Sequence, residues 1–137
     1  MNKNAKGFTL MELTIVLAIL AIIAAILIPM FLNTTDRARL RSDIQSARVI
    51  QNAMDLYRVE RGHAPAGSNM EAIMATLGAA GYLDLRNATI QTQYARWVQV
   101  QGQAGGVVVD ISASPDSVHH AYSNLSDAER LIVTGGR

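Results

Sequence analysis

Lys6-Gly7-Phe8-Thr9-Leu10-Met11-Glu12 opens directly onto an apolar run, and that junction decides how the chain is read. No charged residue occurs from Leu13 to Thr35, and residues 13–32 are apolar apart from Thr14 and Pro29. About 20 such residues span a bilayer as a helix. Glu12 stands at the mouth of that segment. On insertion scales a charged side chain costs roughly 2.5–3.5 kcal/mol at the centre of a membrane helix, and less near the interface. A residue that costly implies a partner charge, and the apolar segment itself supplies none.

The same residues resemble the N-terminus of type IV pilins and pseudopilins. Their pattern is a short basic leader ending in Gly, then Phe-Thr-Leu-x-Glu, then an apolar helix with a proline near its far end. Lys3 and Lys6 lie in the matching leader, residues 1–7. The resemblance implies cleavage between Gly7 and Phe8, methylation of the new Phe8 amine, and a helix kink at Pro29. It also implies that Glu12, the fifth mature residue, pairs with the N-terminal amine of a neighbouring subunit. Such a pair is attractive in low dielectric and costly when broken, so it specifies register more than it adds stability. The close match covers residues 1–32; beyond that the resemblance is one of layout.

The 137 residues suit one domain of ordinary size, and residues 33–137 allow only a modest core. The formal charge is +1, and loss of Lys3 and Lys6 leaves ten basic against eleven acidic side chains. That balance provides no overall footprint for nucleic acid. There is no cysteine, so the chain departs from those major pilins that close their C-terminal region with a disulfide. An ordinary secretory signal fits badly, because the run is long and no A-x-A site precedes a polar start. A plain signal anchor accounts for the span but not for Gly7-Phe8 or Glu12. Positive charge flanks both ends of the run, so the positive-inside count does not orient it; the resemblance places the N-terminus in the cytoplasm.

No glycine interrupts residues 8–61, and Pro29 is the only proline among them, so the spacing predicts one helix from residue 8 to about 60. Leu40, Ile44, Ala47, Ile50, Met54 and Tyr57 form an amphipathic stripe on its second half. At 1.5 Å per residue this is a rod of roughly 80 Å, which a small head cannot bury. Its first half therefore sits in lipid or against other copies. Ala21, Ala24 and Ala25 favour helix where some relatives carry a helix-weakening glycine. Residues 62–68 read as a loop, and Ser68 to Glu71 as a capping box opening a short helix with Met70, Ile73, Met74 and Leu77 on its apolar face. Gly78 or Gly81 ends that helix.

Ile90 to Gln101 reads as a strand with Tyr94, Val98 and Val100 on one face and Trp97 at a bulge or facing outward. Residues 102–106 read as a hairpin loop, Val107 to Ser112 as the returning strand, and Ser117 to Leu125 as a short helix. Ser126 to Glu129 reads as a second capping box while Leu131 to Thr134 has strand composition, leaving the C-terminus open between helical turn and edge strand. The fold class is α+β: a long N-terminal helix, its first half membrane-spanning, packed against a small antiparallel sheet. The organisation is leader 1–7, membrane and polymerisation half 8–35, and head 36–137.

No cofactor is implied. His63, His119 and His120 read as exposed polar residues rather than metal ligands, since His119 and His120, adjacent on a helix, point about 100° apart and cannot easily share an ion. The resemblance makes calcium the better metal candidate, since some pseudopilins bind it in their C-terminal region; Asp110, Asp116 and Asp127 are acids there, although no Asp-x-Asp loop is present. Arg37, Arg39 and Arg41 alternate rather than line one helical face and read as a solvated collar or inter-subunit ion pairs, against DNA or anionic lipid. Asn33, Asn87 and Asn124 each begin a short glycosylation-type triplet. No nucleotide loop, catalytic carboxylate pair or Ser–His–Asp pattern stands out, so no enzyme is expected.

The resemblance implies a filament subunit made as a membrane-anchored prepilin, single-pass with its N-terminus inside, then moved to an extracytoplasmic filament. Its implied partners are other copies of itself, a prepilin peptidase and methyltransferase, an inner-membrane assembly platform and its ATPase. Two alternatives remain: a pseudopilin of a type II secretion or DNA-uptake system, and a membrane-anchored binding module that never polymerises.

Overall fold

A computed structural model describes residues 8–100 and 106–136. Among them the order is α1 (Leu10–Arg61), α2 (Met70–Ala79), β1 (Arg96–Gln99), β2 (Val107–Asp110), α3 (Asp116–Ser123), α4 (Asp127–Arg130) and β3 (Val133–Thr134). The chain divides into two compact units, with the boundary between Leu32 and Asn33.

In the first unit the apolar side chains of α1 stay exposed. Ile15, Ile22 and Phe31 are all more than half exposed, and none of the apolar window is buried. This helix is long and apolar enough to cross a membrane. The one hydroxyl within its apolar run is satisfied locally, since Thr14 Oγ1 donates to the Met11 carbonyl at 2.9 Å, as a polar group in lipid would require.

The second unit builds its core on the rest of α1. Leu40, Ile44, Ala47, Ile50, Ala53, Met54 and Tyr57 are buried, the stripe expected of a helix with one face inward. Ile73 and Leu77 of α2, Val107 and Val109 of β2, and Val118 of α3 complete the same core. α1 stops at Arg61 because Gly62 turns into the left-handed region at φ +74°. α2 is capped by Asn69, whose side chain accepts from Ala72 N at 2.8 Å, one residue later than the Ser68 box expected. It ends in a Schellman turn at Gly81 (φ +81°), where Tyr82 N donates to Leu77 O and Gly81 N to Gly78 O.

The sheet is mixed rather than wholly antiparallel. β1 and β2 pair antiparallel, Arg96 opposite Asp110, while β2 and β3 pair parallel, Val109 opposite Val133. The reason is the intervening chain: α3 and α4 lie between β2 and β3 and bring it back in the same direction. The capping box at Ser126 and the strand composition after it are both realised, as the single turn of α4 and then β3.

Gln101, the last residue of the strand expected from Ile90, lies outside the described residues; among those described the strand is shortened to Arg96–Gln99. Gln91 N and Thr92 N each donate to the carboxylate of Asp43 on α1, at 2.7 Å, so they are not available to a ladder. Tyr94 then takes a left-handed φ of 58°. Tyr94 and Val100 are exposed and share no buried face with Val98. Trp97 is neither bulged nor outward; it pairs in register with Val109, packs against the core and donates Nε1 to Asp43 O at 3.4 Å. Most of the loop expected at 102–106 lies outside the described residues; Val100 N meets Gly106 O at 2.9 Å. β2 ends at Asp110, before Ser112, because Asp110 Oδ1 accepts Ser112 N at 3.0 Å and Ser112 Oγ at 2.6 Å and so turns the chain.

Two predictions follow from these carboxylates. Asp43→Ala leaves two backbone N–H groups without acceptors and should cost about 2–5 kcal/mol, with Asp43→Asn recovering part through its single carbonyl. Urea unfolding in detergent, read by Trp97, the only tryptophan, measures this, and a loss under about 1 kcal/mol would contradict the clamp. The second prediction concerns pH. The carboxyl of Asp110 is held below its ordinary range by Ser112, whose hydroxyl contributes most, and by Arg96. A carboxylate lowered on folding contributes stability that is fully present above its unfolded value of about 3.9 and is lost as pH falls through the folded value. The stability gap between wild type and Asp110→Asn should therefore be constant above about pH 5 and shrink toward pH 3; a gap that persists undiminished would contradict it.

Candidate functional site

Gly7 and the preceding leader positions lie outside the described residues, so the site is built from Phe8 onward. Phe8 is 82% exposed. In the uncleaved chain its nitrogen is a peptide nitrogen, and the amine expected to face Glu12 arises only on cleavage. Thr9 begins the helix. Its hydroxyl accepts from Glu12 N at 3.2 Å, while Glu12 Oε2 accepts Thr9 N at 3.1 Å and Thr9 Oγ1 at 3.2 Å. Leu13 N closes the turn on Thr9 O at 3.2 Å. This is a reciprocal capping box, in which the first orphan donors of the helix are satisfied by side chains.

Glu12 therefore does a local job within one chain. Its charge also sits in the first turn, where the helix macrodipole favours an anion. The role of Thr9 was legible as Thr-x-x-Glu before an apolar run, the same signal already read at Ser68 and Ser126, yet there Thr9 counted only as part of the Phe-Thr-Leu motif. Pro29 lies inside α1, with helix on both sides. Having no N–H, it leaves the Ala25 carbonyl without its usual intrahelical donor.

The other candidates are not brought together. His63 is exposed, with Nδ1 3.0 Å from Ala64 O and its ring edge-on to Tyr57 at 5.7 Å. His119, expected to be exposed, is instead buried along with Val118 and Ala121 of α3, with both ring nitrogens lacking a hydrogen-bond partner among the described residues, while His120 is exposed. Asp110 is engaged by Ser112 and by Arg96 Nη2 at 2.9 Å. Asp116 and Asp127 stand in the first turns of α3 and α4. Among the described residues no three His, Cys, Asp or Glu side chains form a group that could hold a metal ion.

The arginine collar is resolved individually. Arg39 pairs with Asp36 at 3.5 Å and Arg41 with Glu129 at 3.0 Å. The carboxyl of Glu129 is held below its ordinary range, first by the Ser126 backbone N–H, then by its hydroxyl and by Arg41. Arg37 lines a concave site with His120, Ala121 and Asn124.

Comparison with known proteins places this geometry. Residues 2–28 match the model of the prokaryotic N-terminal methylation motif. A fimbrial protein of Neisseria meningitidis serogroup B is 35% identical over 114 residues, 83% of this chain and 59% of the relative. A second, from serogroup A, is matched over 51% of its length, so the chain spans little more than half of these relatives. The type IV wide pilus major component PilA4 of Thermus thermophilus is 31% identical over 117 residues, 83% of this chain and 85% of that protein. The type II secretion system core protein G of Escherichia coli K12 is 27% identical over 60 residues, 44% of this chain and 41% of that protein. No solved structure matches at the level at which these relatives do. With the methylation motif at the start of α1 and a relative aligned over most of both chains, this protein belongs to the type IV pilin and pseudopilin family.

Proposed function

We propose that the protein is a structural subunit of an extracytoplasmic type IV pilus-like filament. It is made as a membrane-anchored prepilin with its N-terminus inside, cut between Gly7 and Phe8, methylated at Phe8 and polymerised through α1. The observation that carries this reading is a division of labour. The second unit completes a core of its own, while the helix half that carries the methylation motif leaves its apolar side chains exposed. Lipid covers that half before assembly, and neighbouring copies cover it afterward. A heterologous contact of this kind, repeated without closing, generates a helical filament. The peptidase, the platform protein and its ATPase are separate partners, and the subunit itself is neither an enzyme nor dependent on a cofactor. Likeness to the wide-pilus component over 83% of the chain, against 44% for core protein G, favours a pilus over a secretion pseudopilus.

In this reading Glu12 supplies the register of assembly. Glu12→Ala or Glu12→Val removes a charge from the edge of the span, so insertion becomes easier, and the cleavage site is untouched. In a strain with the cognate machinery the variant should accumulate in the membrane as protein starting at methylated Phe8 by mass spectrometry, with no sheared fibres. Normal fibre yields from the variant alone would make the non-polymerising anchor the leading reading. A chain still starting at Met1 beside an active peptidase would overturn the processing step.

Thr9→Val tests the cap separately. It should destabilise the first turn by about 1 kcal/mol, seen as faster amide exchange at residues 10–13 in micelles, with Thr9→Ser restoring protection. Unchanged exchange would show that the box does not hold the helix start.

A further inference from the structure

We propose that the concave site between α1 and the end of α3 binds the phosphate of a lipid headgroup. It is lined by Arg37, His120, Ala121 and Asn124 and encloses about 370 Å³, within the usual range for small-ligand sites. None of its lining side chains is acidic. Arg39 and Arg41 are already committed to Asp36 and Glu129, whereas Arg37 forms no ion pair among the described residues. Its guanidinium offers the planar fork that matches two phosphate oxygens. The imidazole of His120 and the amide of Asn124 supply further N–H donors.

A backbone carbonyl that would repel an anion is already engaged. The His120 carbonyl, at the negative end of α3, accepts Ser123 Oγ at 2.8 Å and Asn124 Nδ2 at 2.9 Å. Asn124 thereby uses one amide hydrogen and keeps the other.

A lipid, rather than a soluble phosphate, follows from chain length. The apolar run ends at Leu32, and Arg37 is the fifth residue after it. Even fully extended, five residues reach at most about 18 Å. A chain whose apolar run lies in the bilayer therefore keeps Arg37 close to the headgroup layer, about 5–8 Å deep on each side. A guanidinium held there is drawn to anionic lipid.

The proposal rests on the membrane-spanning reading of the first half of α1, and the experiment separates the two. The full chain is placed in nanodiscs of phosphatidylcholine with phosphatidylglycerol, then released into mild detergent and weighed by native mass spectrometry. Wild type should retain phosphatidylglycerol. Arg37→Gln should lower that retention about fivefold, His120→Gln should lower it less, and Arg39→Gln, with the same change in charge, should leave it unaltered. Trp97 fluorescence confirms that each variant is folded. Equal losses from Arg37→Gln and Arg39→Gln would overturn the site in favour of a diffuse basic collar. Displacement of the lipid by millimolar inorganic phosphate would overturn the lipid source. A chain that enters nanodiscs but retains no lipid sinks this proposal alone, whereas one that never enters them sinks the membrane reading as well.

Discussion

The carboxylate of Asp43 organises the head. It is fully buried on the inward face of α1, where an ionised group is costly unless its oxygens are occupied. Gln91 N and Thr92 N occupy them at 2.7 Å each. These bonds fasten the segment before β1 to a fixed point on α1, and Trp97 reaches the Asp43 carbonyl from the strand that follows. Two turns farther along, Gln51 repeats the device. Its Oε1 accepts Val107 N at 3.0 Å at the start of β2, and its amide is held by Asp55. A third tie, Arg41 to Glu129, reaches α4. Apolar burial is non-directional and sets how tightly the sheet lies on the helix. These polar ties set where it lies.

That division explains what was legible in the sequence. Elements held by local rules were readable: the stripe from Leu40 to Tyr57, the stop at Gly62, the cap at Ser126. Elements defined by a distant partner were not. Ile90 to Ala95 has the composition of a strand, and its loss depends on Asp43, some 48 residues away in sequence. Asp43 is a polar residue outside the apolar set from Leu40 to Tyr57, and no local pattern marks it as buried. The parallel pairing of β3 was hidden for a related reason, since a strand of two residues carries no periodicity from which direction can be read. At the N-terminus the motif was plain, but the motif reading obscured the simpler local fact that Thr9 and Glu12 cap the helix.

The two units also divide the work of α1. From Leu40 onward the helix is a structural member of the head, and its inward face is fully used. From Leu10 to Phe31 its apolar side chains are left uncovered by the described residues. A helix that is apolar all round belongs in lipid or inside an assembly. Because the head closes its core on its own stretch of helix, exchanging lipid for other subunits requires no refolding of the head.

The capping box bears on how the proposed assembly contact forms. Among the described residues Glu12 Oε2 is held by Thr9, through bonds that are individually modest in an exposed setting. An arriving ammonium from a second chain carries a full charge and, away from water, attracts a carboxylate far more strongly than a neutral donor does. The cap therefore presets the direction of Glu12 without binding it so tightly that a neighbour is excluded. It also keeps the helix start satisfied while the subunit waits in the membrane, where an open first turn would leave backbone donors without water. In the proposed assembly the same threonine serves both stages: it shields the helix end in the single subunit and aims the carboxylate for the next one.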